Sequence, residues 1–362
     1  MSSVIEIEKI ESFDEKLMGS SPFTSLFRNI LVMARDQGAS DIHFEPKFNH
    51  LLVRIRVNGD LKEIKKISKE FIGPFIFEIK RLTGMSIAKK GKVQDSRVSF
   101  PSLNMDLRGS AIPSLIDDKL VFRIIDTSKE VNLQNLEHSE KALFVLSDIA
   151  KNKNGLVILS GPTGSGKSST LYGVLNTIDR EKLNVLTIED PVERIIDGTT
   201  PVEIKEHVSF KQALKSAMRQ DPDVIFIGEI RDSETANLAL EASNTGHLVI
   251  TTVHANSCMG VIDRLKGLGV DHDLLKNNIR FIGAQRLIKV LCSHCRVKSN
   301  TGFIKNIKGC VNCNGSGIIG RKPILQYLTG VSKNSEKITL KEVARPLMLK
   351  GVMDYNEWEK IQ

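Results

Sequence analysis

Three groups of residues in this chain have types and spacings that could do chemistry. The first is Gly161-Pro162-Thr163-Gly164-Ser165-Gly166-Lys167-Ser168, which fits G-x-x-x-x-G-K-[ST] without a mismatch. Glycines let backbone N–H groups converge on a polyphosphate, and a following helix adds the positive end of its dipole. In this pattern Lys167 reaches the outer phosphates, the Ser168 hydroxyl holds Mg²⁺, and Ser169 carries the cradle into the helix. The second group is acidic and sits downstream. Glu189-Asp190-Pro191-Val192-Glu193 places three carboxylates in five residues, and Gly228-Glu229 follows the apolar run Val224–Ile227. Carboxylates this close repel one another unless cations lie near, and a metal-bound nucleotide supplies them. Glu229 is the candidate for orienting or activating an attacking water. The third group is Cys292/Cys295 and Cys310/Cys313, two C-x-x-C pairs enclosing residues 296–309. Paired C-x-x-C at this spacing reads as a tetrahedral zinc site. Gly309, Gly315 and Gly317 allow the tight turns that such a site needs.

Elements able to position these residues can be read around them. Leu156–Leu159 precedes the glycine loop as a buried strand, and a helix over Ser169–Ile178 follows it. Strands at Val185–Ile188, Val224–Ile227 and Leu248–Val253 alternate with helices at Ser209–Gln220 and Glu234–Asn244. Such alternation predicts a parallel sheet with helices on both faces. Polar groups for phosphoryl chemistry then come from the C-terminal ends of the strands. His254 stands at one such end, either as hydrogen-bonded structure or as part of the site. Cys258 falls in a helix and reads as a small buried residue.

The N-terminal third has a different pattern. A helix is expected over Ser25–Gln37, a strand over Leu51–Val57 entering a hairpin at Asn58-Gly59, and a helix over Phe71–Leu82. Strands follow at Ser96–Phe100, Asn104–Ser110 and Leu120–Ile125. The expected organisation is a flexible tail at 1–22, a small α+β domain at 23–127, a polar linker at 128–138, and an α/β domain at 139–362 that includes a zinc subdomain at 290–322.

Composition limits the alternatives. The 362 residues carry a net charge of +8, but aromatic residues make up only 5%, so stacking platforms for single strands are scarce and no nucleic acid is expected. No apolar run approaches the length needed to span a bilayer, and residues 1–19 are acidic rather than signal-like. The reading is a soluble cytoplasmic protein. From Cys292 to Lys322 there are six basic and no acidic residues, which makes either a solvated face or a positive docking knob.

In order, Leu159–Thr170, Thr187–Glu193, Asp221–Asp232 and Gly246–Ser257 resemble the Walker A, Asp box, Walker B and His box of the secretion ATPases, the family behind type II secretion and type IV pilus assembly. Ser40–Pro46 and Val53–Asp60 are similar to that family's second N-terminal domain, and Gln285-Arg286-Leu287 before Cys292 also matches. The resemblance spans residues 25–345. It implies a RecA-like core behind a PAS-like N-terminal domain, using ATP, Mg²⁺ and Zn²⁺. It further implies a homo-hexamer acting on an inner-membrane platform protein, with Glu189, Glu229 and His254 in its catalytic boxes. The family's nucleotide-contacting arginines fall on Arg97 and Arg108, although Ser96 and Gly109 depart from its usual residues, and Arg123 is left open between such a role and a structural one. A similar tetracysteine insert occurs in the assembly and secretion branch and is typically absent from retraction motors. The rival readings are a retraction motor of the same fold, disfavoured by the cysteines, and a nucleic-acid motor or zinc-ribbon binding module, disfavoured by scarce aromatics and by the secretion-type boxes.

Overall fold

The computed structural model describes residues 21–88, 91–128, 131–205, 207–330 and 339–361. Two compact units divide the chain, residues 1–130 and residues 131–362. Most of the tail expected at 1–22 lies outside the described residues. Its last two belong to the first helix, α1 (Pro22–Asp36), which starts earlier than the apolar spacing suggested. Ser21 caps it by accepting a hydrogen bond from the Phe23 N–H at 3.2 Å, and Pro22 fills the first turn, where a missing N–H costs nothing.

Unit 1 is a six-stranded antiparallel sheet covered on one face by α1 and α2 (Ile72–Leu82). Its strands are β1 (Ala39–Pro46), β2 (His50–Val57), β3 (Asp60–Ser68), β4 (Gln94–Phe100), β5 (Met105–Ile112) and β6 (Lys119–Asp126), in the order β3-β2-β1-β6-β5-β4. The Asn58-Gly59 hairpin forms as expected, both residues having positive φ (52° and 91°), as a tight turn between right-twisted strands requires. Period-two alternation sends Ile42, Phe44, Val53, Ile55, Leu107 and Phe122 into one core with Phe27 and Phe75 of the helices. The other face is mixed, with Leu52 and Val121 on it among polar residues. One rung across it carries Arg56, Asp41, Arg123, Arg108 and Arg97 on successive strands.

Unit 2 is the α/β unit. Its strands β7 (Gly155–Ser160), β8 (Val185–Glu189), β9 (Thr200–Glu203), β10 (Val224–Ile227), β11 (Leu248–Val253), β12 (Ile279–Leu291) and β15 (Ile318–Thr329) lie in the order β15-β12-β7-β11-β10-β8-β9. All neighbours are parallel except β15 against β12. The short strands β13 (Val297–Lys298) and β14 (Phe303–Ile304) pair by themselves. Helices α3 (Glu140–Ile149) and α4 (Lys167–Leu175) share one core with the sheet. Helices α5 (Phe210–Ala217), α6 (Ser233–Asn244) and α7 (Cys258–Gly267) share another. The burial of β7, β10 and β11 at every position reflects this double cover. Further on lie α8 (His272–Asn278), α9 (Leu340–Leu349) and α10 (Tyr355–Glu359).

Two features differ from the sequence expectation. Residues 131–138 are part of unit 2 rather than a free linker. Leu133 is buried beneath Gly173, whose missing side chain makes room for the Leu133 backbone, and His138 is buried against Thr170. Polarity concealed this, because only one apolar anchor in the segment is buried. The long pair β12 and β15 was also not anticipated. It extends the sheet as an antiparallel arm, with residues 292–317 closing its far end.

Candidate active site and metal centre

Strand order alone brings the phosphate loop and its expected partners together. β7, β11, β10 and β8 lie side by side, so their C-terminal ends present the loop, His254, Gly228-Glu229 and Glu189-Asp190 in that sequence. Backbone bonds carry the register past the strands. Gly228 N–H donates to Ile188 O at 2.8 Å, the Thr252 hydroxyl to Gly228 O at 2.7 Å, and Ile230 N–H to Thr252 O at 2.9 Å.

The loop itself is a left-handed glycine turn. Gly161, Gly164 and Gly166 have φ of 147°, 76° and 83°, and Gly166 caps α4. Lys167 is folded back, its Nζ donating to Gly161 O at 2.9 Å and Pro162 O at 3.1 Å. Burial pulls its pKa below the ordinary lysine value, opposed by the charges of Glu229 and Glu193. The buried Ser165 hydroxyl has no hydrogen-bond partner, a polar atom in the loop that a phosphate oxygen would satisfy. Ser168 and Ser169 open the first turn of α4, where Ser168 would hold Mg²⁺.

Glu229 lies at the centre of the acidic cluster. Arg231 donates to one of its oxygens, and the His254 Nε2 lies 3.4 Å from the other. Arg231 also reaches Asp190 at 3.4 Å, so one guanidinium bridges two strand ends, a role that the sequence did not assign. His254 is exposed beside Glu229. Glu189 is placed differently from its neighbours. It ends β8 on the buried side, is 4% exposed, and accepts a hydrogen bond from the Tyr172 hydroxyl. Burial raises its pKa, against the lowering effect of that hydrogen bond. The three carboxylates that read as one cluster thus divide into a buried Glu189 and an exposed Asp190, with Glu193 acting on Lys167 by its charge.

Arg97 and Arg108 are direct cross-strand partners in unit 1, and Arg123 is next in the same rung. Asp41 holds Arg123 at 3.4 Å and Arg56 at 3.9 Å, while Arg97 lies 3.8 Å from Asp106. Gly109 has a steric reason: a Cβ there would meet the Phe122 ring at 2.3 Å.

The four cysteines form one cluster, their sulfurs all within 4.8 Å of one another. Cys292–Cys310, Cys295–Cys313 and Cys310–Cys313 are separated by 3.7, 3.8 and 3.8 Å. A tetrahedron with metal–sulfur bonds near 2.3 Å has an edge of about 3.8 Å, so the donor set fits. Backbone N–H groups of Cys310 and Gly317 both donate to the Cys313 sulfur at 3.1 Å. Burial would raise the Cys313 thiol pKa, but these donors and the neighbouring Cys310 and Cys295 thiols bring it down to about 6, while burial and the same thiols push Cys295 up to about 12. Cys258 stands apart, buried in α7, with burial pushing its thiol up to about 12.

The doubly covered parallel sheet, with a phosphate loop at the end of β7 and acids at the neighbouring strand ends, defines a P-loop protein with a RecA-like core. Residues 16–350 match the family described as "Type II/IV secretion system protein", and the chain belongs to that family. It is 37% identical over 309 residues to the type II secretion system protein HxcR of Pseudomonas aeruginosa, covering 84% of this chain and 66% of that protein. It is 34% identical over 328 residues to the type II secretion system ATPase E of Vibrio cholerae, covering 85% of this chain and 65% of that one. The chain thus spans just under two thirds of the length of these relatives. Among solved structures, the pilus retraction motor PilT with bound ADP superposes with a TM-score of 0.68 at 23% identity, covering 92% of this chain and 96% of that one. The Legionella pneumophila ATPase DotB gives 0.71 at 20% identity, covering 92% and 94%. These two likenesses concern the fold. Among the described residues, no helix is long and apolar enough to cross a membrane.

Proposed function

We propose that this chain is a cytoplasmic ATPase that works as a homo-hexamer and powers assembly of a type IV pilus or a type II secretion pseudopilus. The observation that carries this reading is the row of strand ends, where the loop, His254, Glu229 and the Glu189-Asp190 pair adjoin. ATP binds through Gly161–Ser169, with Lys167 leaving the loop carbonyls for the outer phosphates. Ser168 would hold Mg²⁺, which would supply positive charge against the phosphates. Glu229 orients and deprotonates the attacking water, with His254 beside it, and Glu189 supports the site from its buried position. Arg97 and Arg108 of a different copy supply positive charge to the transferring phosphate, because a guanidinium fork matches phosphate oxygens. The four cysteines would hold Zn²⁺, whose role there would be structural. The partner that turns hydrolysis into work is an inner-membrane platform protein, and the chain is held at the membrane through it. The names of the type II secretion relatives support this output, as does the tetracysteine cluster, which disfavours a retraction motor.

The test is Glu229→Gln, which keeps shape and removes charge. It should bind ATP as the parent does and lose about 10²–10⁴-fold in turnover. Turnover at the parental rate would sink the assignment. Stimulation by DNA rather than by the platform protein's cytoplasmic domain would favour a nucleic-acid motor instead.

A further inference from the structure

A side chain from a remote strand spans the phosphate loop. β12 pairs with β7 through Ala284 opposite Ser160, the last residue before the loop. The next residue, Gln285, therefore lies beside the loop, bonded to it and to the helix that follows. Its carbonyl oxygen comes so close to Gly161 that a Cβ there would meet it at 2.4 Å. Its Nε2 donates to Ser165 O at 2.7 Å, and the same nitrogen lies 3.0 Å from where a Gly166 Cβ would stand. Its Oε1 accepts from the Thr170 hydroxyl, in the first turn of α4, at 2.9 Å. Thr170 in turn lies 3.1 Å from the Nε2 of the buried His138. Gln285 is 1% exposed, so both ends of the carboxamide are satisfied by protein alone.

We propose that Gln285 is a positioning residue for the phosphate loop, fixing the shape in which the loop receives a polyphosphate. This rests on the reading of the loop as a nucleotide site. The physical reason is the Ser165 carbonyl. A carbonyl oxygen turned towards a phosphate repels it, while N–H groups attract it. Nε2 commits that carbonyl to β12, and Oε1 ties the same carboxamide to the helix that follows the loop. One of the motif's glycines is then explained by this side chain, because a Cβ at Gly166 would stand 3.0 Å from Nε2, whereas Gly161 is crowded by the main-chain carbonyl of residue 285. Only a residue with a donor and an acceptor at this distance can do both jobs. Glutamate has the size but brings an acceptor to face an acceptor, in a buried place where an unmade hydrogen bond is costly.

The test uses the full chain and a fluorescent ADP analogue as probe, with Lys167→Ala as control. Gln285→Glu should weaken ADP binding at least tenfold while the nucleotide-free protein still unfolds cooperatively, its thermal midpoint lowered by the unmade hydrogen bond. Combining Gln285→Leu with Thr170→Val should weaken binding no more than Gln285→Leu alone, since both substitutions break one network. If Gln285→Glu fails to fold, Gln285→Asn asks the same question, because the shorter carboxamide withdraws from both partners. Parental ADP affinity in Gln285→Glu or Gln285→Asn, with binding lost in Lys167→Ala, would overturn the proposal while leaving the nucleotide reading intact. Parental affinity in Lys167→Ala would remove the nucleotide reading, and the proposal with it.

Discussion

The cysteine cluster and the phosphate-loop site are both reached by β12, yet they are built in opposite ways. The cluster is local. All four cysteines lie between Cys292 and Cys313, and the glycines there make room for neighbouring turns: a Cβ at Gly309 would strike the Gly315 backbone at 2.3 Å, and one at Gly317 the Asn306 carbonyl at 2.4 Å. The phosphate-loop site is assembled. It draws on His138, the loop, Glu229, His254 and Gln285, from five stretches that only sheet order brings together. A local site needs its turns and its metal, and an assembled one needs the whole unit folded. The two should therefore fail in different ways.

The largest expected effect extends the assembled site to a second copy. If Arg108 serves the phosphate of a different subunit, Arg108→Ala should lower steady-state turnover about 10³-fold or more in a uniform ring. Mixing Arg108→Ala with Lys167→Ala subunits should restore part of the rate, because each copy supplies what the other lacks. No recovery at any ratio, or unchanged turnover in Arg108→Ala alone, would remove the arginine from the site.

That contrast also explains what was legible in the sequence. The loop, the cysteine pairs and the four central strands announce themselves through local patterns: fixed glycine spacing, C-x-x-C, and short apolar runs, two of them leading into an acid. Gln285 is marked only as part of the Gln285-Arg286-Leu287 family match, with no role attached. It sits mid-strand in Ile279–Leu291, where a polar residue gives no sign of the loop 120 positions away to which it donates. The division between Glu189 and Asp190 was equally hidden, because which of two adjacent acids turns inward depends on where β8 ends. The arginine rung of unit 1 needs five registers to be known at once.

A smaller effect should follow from filling the space between loop and strand. At Gly161, alanine would set a Cβ 2.4 Å from the Gln285 carbonyl and 2.7 Å from the Ser165 hydroxyl, at a φ of 147°. Backbone strain of this kind costs about 1–3 kcal/mol, with the clash in addition. Gly161→Ala should lower the thermal midpoint and weaken ADP binding, whereas Gly309→Ala should disturb metal content alone. Equal loss of nucleotide binding in both variants would break the distinction between assembled and local.

The buried His138 gives the assembled site a pH signature. Burial, with a lesser contribution from the charge of Lys322, lowers its pKa from 6.5 to about 4. Between those values the unfolded chain binds a proton that the folded chain refuses, so stability falls as pH falls through this window. From pH 7 to pH 5 the loss attributable to this group is about 2 kcal/mol. Comparing the parent with His138→Gln by urea unfolding at both pH values isolates it, since the other titrating groups are common to both. A difference that does not change with pH would mean that His138 is not the group responsible.

The smallest expected effect bears most directly on the comparison. A closed tetracysteine site makes its own fold conditional on metal, because binding energy there is folding energy. Cys295→Ser should therefore reduce bound zinc from about one equivalent towards none and loosen residues 292–317. What it should leave alone is the loop. The Gln285 contacts with Ser165 and Thr170 lie on the part of β12 adjoining β7, and β12 and β15 are paired from Phe281–Thr329 onward without help from the cluster. ADP affinity in Cys295→Ser should then stay within about threefold of the parent, a change under 1 kcal/mol. Zinc content and ADP affinity, measured on the same preparation, separate the alternatives. If both fall together, the arm transmits strain from its tip to the loop, and the cluster is part of the assembled site after all.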